Sequence, residues 1–341
     1  MSFLVKVRQL AEPVTVALGQ TILEAALAAG HDYPCGCQSG NCGACKSALL
    51  AGEVEMTPYS DYALTAEEKD SGLILACRSL PLGNAEIAWL EGDEIAAHPF
   101  RHLDCKVIGL DPMTHDIMRL RLEITAGGPY AFSAGQYAAV RFGDLPVRDY
   151  SMANQPDDPV LEFHIRCMAG GTVSPFVRNE LAPGDPVRVE GPRGISFLRE
   201  QHAGPILALA GGSGLAPIKS IVERALALER RQPIHCYFGV RDERDLYLED
   251  HFKGLAARHG NLTFTPVLSE PEGATARRTG FLADAVAADF ASLDGAKVYL
   301  AGPPVMVETC VAAVQRLGAA RGDCHADAFY TEQDKAKLVT A

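Results

Sequence analysis

Polar and apolar residues alternate over residues 3–8 and again over 14–17, the two-residue period of a half-buried strand. The period then changes. Thr21 and Glu24 spell T-x-x-E around Ile22-Leu23 and ahead of Ala25-Ala26-Leu27, which predicts a capping box and a short helix. Gly30 stands where a C′ residue would end it. Residues 46–50 read as a further strand and Gly52-Glu53 as a turn. Strand patterns dominate 102–200, with candidates at 105–109, 118–124, 136–142 and 161–167. One helix interrupts them, with Ser174 predicted as N-cap and Pro175 as N1. Beyond residue 201 strands alternate with helices: strand 206–210, turn 211–214, helix 215–228, then strands at 234–240, 262–268 and 297–301. That alternation predicts a parallel, doubly wound sheet whose ligands bind at the carboxyl ends of the strands. Gly211, Gly212, Gly214, Gly239 and Gly302 all fall at such ends.

A chain of 341 residues suggests two or three domains. The patterns divide it into 1–96, a linker at 97–101 around Pro99, 102–200 and 201–341. Hydrophobic residues make up 48%, enough for ordinary cores, and no apolar run reaches 18 residues, so no membrane span is expected. The first residues alternate like a strand and carry no cleavable signal pattern. A net charge of −12 argues against nucleic acid as a partner. The charge is uneven: residues 1–96 hold 13 acidic against 5 basic side chains. That excess either solvates a small domain or steers a less acidic redox partner.

The candidate chemistry begins with cysteine. Cys37, Cys42 and Cys45 read C-x4-C-x2-C, and Cys77 follows in Leu75-Ala76-Cys77-Arg78. This is the plant-type [2Fe–2S] spacing, in which three thiolates come from one tight loop and the fourth from farther on. Gly36, Gly40 and Gly43 let the loop take positive φ and bring amide N–H groups near the sulfides. Cys35 offers a second first ligand, but it would leave six residues before Cys42, so Cys37 is assigned. A structural zinc site would show a second C-x2-C knuckle or added histidines. The other six of the ten cysteines are scattered singly, which predicts reduced thiols in the cytoplasm.

Further motifs follow in a fixed order: Arg148-Asp149-Tyr150-Ser151, His164-Ile165-Arg166, Gly170-Gly171-Thr172-Val173-Ser174, Gly211-Gly212-Ser213-Gly214-Leu215-Ala216-Pro217 and Ala301-Gly302-Pro303-Pro304. A Gly-Gly turn opening a helix suits a pyrophosphate. The strand–helix–cluster-loop–strand order of 1–96 resembles the β-grasp of plant-type ferredoxins. The later order resembles the ferredoxin–NADP reductase superfamily. Together, over roughly residues 1–330, the chain resembles the reductase components of aromatic-ring dioxygenases, of the naphthalene dioxygenase reductase type.

The resemblance implies a multidomain α+β and α/β fold: an N-terminal β-grasp ferredoxin, a six-stranded antiparallel β-barrel for flavin, and a C-terminal doubly wound parallel-sheet NAD domain. It implies that Tyr150 packs on the isoalloxazine, that Ser151 hydrogen-bonds near N5, and that Arg148 neutralises the flavin phosphates. His164, Ile165 and Arg166 match a strand along the ribityl and pyrophosphate, and Gly171, Thr172, Val173 and Ser174 match the pyrophosphate turn. Gly211, Gly212, Ser213, Gly214 and Pro217 match the dinucleotide turn, and Gly239 and Arg241 the loop near the adenosine. Phe329, with Tyr330 second, matches the aromatic that shields the flavin. Where the family commonly has Cys-Gly before the prolines, this chain has Ala301, then Gly302 and Pro303; a polarizable contact at the transfer site is missing.

The implied activity is a relay in which NADH reduces FAD and a [2Fe–2S] cluster passes single electrons outward, with no acid–base triad needed. FAD is favoured over FMN because only FAD has a pyrophosphate. Asp242 and Glu243 suit a ribose 2′-OH, while Arg241 and Arg244 pull toward a 2′-phosphate, so NADH is favoured with NADPH left open. The expected acceptor is a Rieske-type oxygenase, reached directly or through an intermediate ferredoxin. The alternatives are a diiron monooxygenase as acceptor, or a redox-sensing iron–sulfur flavoprotein.

Overall fold

The computed structural model describes residues 2–31, 33–36, 38–40, 43–61, 63–90, 98–168 and 170–331. These fall into two compact units, one holding residues 2–90 together with 330–331 and the other 98–329.

The first unit wraps a mixed sheet around one helix. Its elements are β1 (Ser2–Val7), β2 (Val14–Ala17), α1 (Ile22–Ala28), β3 (Lys46–Ala51), β4 (Val54–Met56), α2 (Ala66–Asp70), β5 (Leu73–Leu75), β6 (Ser79–Pro81) and β7 (Ala85–Trp89). The sheet order is β2-β1-β7-β3-β5, with β1 and β7 parallel in the centre, and β4 pairs with β6 apart from it. The alternation read in β1 and β2 puts Val5, Val7, Val14 and Val16 inside, under Ile22, Leu23, Ala25 and Ala26 of α1. The predicted capping box is present: Glu24 N–H donates to Thr21 Oγ1 at 3.2 Å and Thr21 N–H to Glu24 Oε2 at 3.0 Å. Gly30 closes the helix at φ +79°, a conformation costly for any residue with a Cβ.

The second unit starts with an antiparallel sheet closed nearly into a barrel. It comprises β8 (Arg101–Pro112), β9 (Ile117–Ala126), β10 (Tyr137–Phe142), β11 (Arg148–Ser151), β12 (Val160–Arg166), α3 (Val173–Asn179) and β13 (Pro186–Arg193). The order is β11-β10-β13-β8-β9-β12. Inward-facing Leu103, Val107, Leu120, Leu122, Val140, Phe142, Phe163 and Val189 fill it. The two edge strands meet at a single bridge, Met152 to Phe163, with Ala153 N–H donating to Glu162 O at 2.7 Å.

One expectation is corrected. Helix α3 begins at Val173, and Thr172, not Ser174, is its N-cap. Ser174 is already inside the first turn, where its hydroxyl accepts the N–H of Met168 at 3.0 Å. That bond folds the preceding loop back over the helix start, a use of a serine that competes with capping.

A six-stranded parallel sheet completes the unit: β14 (Ile206–Gly211), α4 (Leu215–Ala227), β15 (Ile234–Val240), α5 (Glu249–Arg258), β16 (Leu262–Leu268), β17 (Arg278–Thr279), α6 (Leu282–Asp289), β18 (Lys297–Gly302), α7 (Pro304–Arg316) and β19 (Cys324–Ala328). The order β17-β16-β15-β14-β18-β19 reverses direction at β14, the switch point where such sheets open a ligand crevice. β14 and β18 are buried along their whole length, as the apolar run of β14 and of Val298–Ala301 predicts, and β18 buries Lys297 at its start as well.

Candidate functional site

In the first unit Cys45 and Cys77 are buried side by side, and the N–H of Cys77 donates to Cys45 Sγ at 3.5 Å. The loop bearing Cys45 is docked by its glycines. Gly40 sits at φ +79°, and a Cβ there would stand 2.8 Å from Arg78 Cγ. Gly43, at φ +74°, has the Ala63 carbonyl 2.9 Å from where a Cβ would be. Gln38 also takes a left-handed conformation, at φ 54°. Two adjacent buried thiols, an amide aimed at sulfur and a close-packed glycine loop fit an iron–sulfur cluster held by thiolates. Cys37 and Cys42 lie outside the described residues. Cys35 is half-buried and packs against the hydrophobic core of the unit.

In the second unit the barrel is split between β11 and β12. The antiparallel bridge at Met152 and Phe163 sets the register across the split. Ser151 and Tyr150 stand on one lip and His164 and Ile165 on the other, with Arg148 toward the Arg166 end. Edge strands leave backbone N–H and C=O groups unpaired by the ladder, which a bound polar molecule can use. Tyr150 packs partly on the barrel core, and burial pushes its hydroxyl pKa up. Arg148 donates to the Val147 carbonyl at 2.8 Å. Gly171 and Thr172 are exposed beyond the Arg166 end of the split, just before α3, whereas Val173 and Ser174 are buried. Ile165 turns its side chain into the barrel core. His164 is fully buried and hydrogen-bonds Glu162 and Tyr247. A slot with a guanidinium and an exposed glycine turn before a helix toward one end fits a flavin carrying a pyrophosphate.

The glycine turn at residues 211–214 lies at the carboxyl end of β14. Three glycines there allow close approach, two of them of backbone to backbone and one to a side chain. A Cβ on Gly214 would be 2.0 Å from the Ala301 carbonyl oxygen; one on Gly302, at φ +145°, would be 2.8 Å from Gly211 O; one on Gly211 would be 2.4 Å from Met306 Sδ. Gly212 takes φ +55°, and Arg166 Nη1 would be 3.6 Å from its Cβ. Ser213 is half-buried in the turn, and Pro217 occupies the first turn of α4, where a missing N–H costs nothing. This cradle, at a helix start and at the switch point, fits a dinucleotide. Ala301 is buried between β14 and β19, and Pro303 caps α7. At the end of β15, Gly239 is packed on Leu282. Asp242 accepts the N–H of Glu272 at 3.1 Å, and the Arg241 side chain is 58% exposed, 4.0 Å from Asp245.

The chain returns to this point at β19. Phe329 N–H donates to Gly302 O at 2.9 Å, and its ring packs against the core of the parallel sheet. Asp327, two residues earlier, accepts a hydrogen bond from the Ser151 hydroxyl at 3.3 Å. Sequence reading gave Asp327 no role, nor Tyr247, Glu162 or Lys219, which meet across the two sheets. No local pattern marks them, because each partner is distant in sequence.

A cluster loop, a split flavin barrel and a parallel sheet with a glycine turn define an iron–sulfur flavoprotein oxidoreductase that uses a nicotinamide dinucleotide. Three domain families match: 2Fe-2S iron-sulfur cluster binding domain over residues 5–82, oxidoreductase FAD-binding domain over 104–197, and oxidoreductase NAD-binding domain over 208–312. The ferredoxin–NAD(P)(+) reductase component of the naphthalene 1,2-dioxygenase/salicylate 5-hydroxylase systems of Ralstonia sp is 40% identical, over 94% of this chain and 97% of that one. The corresponding naphthalene 1,2-dioxygenase component of Pseudomonas putida is 38% identical over 93% and 95%. The crystal structure of an Amycolatopsis cytochrome P450 reductase superposes with a TM-score of 0.79 at 37% identity, covering 96% of this chain and 98% of that one. The chain belongs to the family of ferredoxin–NAD(P)+ reductase components of multicomponent oxygenase systems. It is an NAD(P)H-dependent electron-transfer flavoprotein with [2Fe–2S], FAD and NAD-binding domains. No described helix is long and apolar enough to cross a membrane.

Proposed function

We propose that this chain takes electron pairs from NADH and delivers single electrons to the Rieske-type oxygenase of an aromatic-ring dioxygenase, directly or through a small ferredoxin. Residues 1–96, 102–200 and 201–341 serve as its cluster, flavin and dinucleotide modules. When bound, FAD supplies the exchange between a two-electron hydride and one-electron steps, and the cluster carries the single electrons.

The protein's own residues bind and orient. Arg148 and the amides of Gly171, Thr172, Val173 and Ser174 offset the flavin diphosphate. Tyr150 packs on the ring, and the backbone of His164, Ile165 and Arg166 lines the opposite lip. Ser151 is aimed by Asp327, so its hydroxyl is held where it can hydrogen-bond the flavin edge. Gly211, Gly212, Ser213 and Gly214, with Gly302, Pro303 and Pro217, let the dinucleotide approach bare backbone. Ala301 lines that approach without the usual thiol. Phe329 covers the ring until the nicotinamide arrives. Gly239 and Arg241 border the adenosine, and Asp242, whose carboxylate is fixed by a backbone N–H, repels a 2′-phosphate. Cys37, Cys42, Cys45 and Cys77 hold the cluster.

The single observation that carries this reading is the Ser151–Asp327 hydrogen bond, which ties the flavin motif to the strand beside the dinucleotide turn. The test is steady-state turnover with ferricyanide, then with a Rieske oxygenase, a diiron hydroxylase and a cytochrome P450 in parallel. NADH should outcompete NADPH, and the Rieske arm should be reduced fastest. Negligible ferricyanide reduction would leave a redox sensor as the better reading.

A further inference from the structure

Behind the dinucleotide turn a chain of buried polar groups joins the parallel sheet to the flavin barrel. Tyr247, 4% exposed, places its hydroxyl 3.3 Å from the Gly212 carbonyl and 3.2 Å from His164 Nδ1. His164 Nε2 lies 3.0 Å from Glu162 Oε1. Lys219 Nζ stands 3.5 Å from the same oxygen, 3.2 Å from Glu223 Oε2, and donates to the Ala153 carbonyl at 2.9 Å. Ser220 Oγ donates to Asn154 O at 2.7 Å. Lys219 and Ser220 ride on α4, the helix that the glycine turn opens. Ala153 and Asn154 directly continue the Arg148–Ser151 strand.

The proton count is informative. Burial raises the Glu162 carboxyl, but the His164 hydrogen bond and the Lys219 charge more than offset it, holding its pKa at about 2. Burial keeps His164 neutral and keeps Tyr247 protonated. A carboxylate only accepts, so His164 carries its proton on Nε2 and leaves Nδ1 bare. The single Tyr247 O–H then faces two acceptors, Nδ1 and the Gly212 carbonyl. This hydroxyl is a side-chain donor to the turn's Gly212 carbonyl. Its ring is held edge-on to both Phe238 and His164, at 5.4 Å each.

We infer that Tyr247 and His164 are positioning residues: they fix the turn 211–214 against strand β12 and so hold the seat that the dinucleotide binds. The inference rests on the reading of that turn as the dinucleotide site. A fixed seat serves bound cofactor and transition state alike, so its loss raises KM and leaves kcat in place.

The test uses the full-length holoprotein. Tyr247→Phe keeps the ring and removes the hydroxyl. FAD and iron content should match wild type. The calorimetric Kd for NAD+ and the KM for NADH should rise together, about three- to tenfold, the size expected for one neutral hydrogen bond. His164→Gln should shift both constants the same way, and the double variant should fall short of the product of the two, because they act as one unit. Should Tyr247→Phe fail to fold, His164→Gln carries the same expectation. A lower melting point with unchanged Kd and KM would overturn the inference and leave a packing role. Ser213→Asp separates the two levels, since a carboxylate in the turn should abolish NAD+ binding. If Ser213→Asp binds NAD+ normally, the site reading itself falls; if it does not bind but Tyr247→Phe binds as wild type, only the positioning role falls.

Discussion

The hydroxyl of Ser151 donates to the carboxylate of Asp327 across 176 residues of sequence, at 3.3 Å. Ser151 ends β11 of the flavin barrel and Asp327 lies in β19, beside Ala301 in the register of the parallel sheet. The hydroxyl's direction is therefore set by the far sheet. Asp327→Asn should keep FAD but slow flavin reduction by NADH in stopped flow by roughly tenfold, equivalent to about 1.4 kcal/mol in the barrier. Ser151→Ala should lose at least as much. An unaltered rate in both variants would remove this pair from the transfer site.

Cys77→Ser should abolish the visible absorbance of the cluster, because Cys77 is buried against Cys45 and a serine hydroxyl does not replace a thiolate ligand to iron. Flavin reduction by NADH should persist, since the FAD-binding and NAD-binding domains lie in a separate compact unit. Simultaneous loss of both activities would argue against separable modules.

Arg148→Ala should yield protein with little bound FAD. The side chain stands on an edge strand and, among the described residues, hydrogen-bonds only the neighbouring Val147 carbonyl, so its removal disturbs little else. Full flavin occupancy after purification would count against the slot between β11 and β12.

Acid should weaken the parallel sheet through His325. Burial, with lesser help from the Arg199 and Lys297 charges, lowers its pKa from 6.5 to about 3. Its ring stacks on Tyr299 at 5.2 Å, and its Nε2 has no hydrogen-bond partner among the described residues. The unfolded chain takes up a proton near pH 6.5 that the native state refuses. This contribution is therefore complete above pH 6.5 and declines as pH falls, by about 2 kcal/mol at pH 5. His325→Phe, which keeps the stack and cannot titrate, should flatten the melting curve of midpoint against pH between 6.5 and 5. An identical slope in wild type and variant would dismiss the mechanism.

Much of this molecule could be read before folding because its signals are local. The Thr21–Glu24 capping box and the alternation of β1 need only neighbours a few residues apart. The glycines of the 211–214 turn were conspicuous for the same reason, although their purpose, room for the Ala301 carbonyl and for Met306, depends on strands far away. Ser174 misled because a serine before proline suits an N-cap, while its actual partner, Met168 N–H, lies in the loop behind it. Strand β13 escaped notice because prolines at 186 and 192 mask its alternation. Asp327, Tyr247 and Lys219 were invisible in principle: an aspartate, a tyrosine and a lysine gain meaning only when two sheets meet.

The return of β19 to the edge of the parallel sheet beside β18 has a temporal side. A ribosome emits the amino-terminal residues first, and domains fold as they emerge. The capped helix and the strands around Cys45 and Cys77 are complete in sequence some 250 residues before Asp327 and Phe329 exist. Translation therefore finishes the outlet for electrons long before it finishes their inlet, and a nascent chain stalled short of residue 327 would hold a dinucleotide turn with no aligned serine beside it.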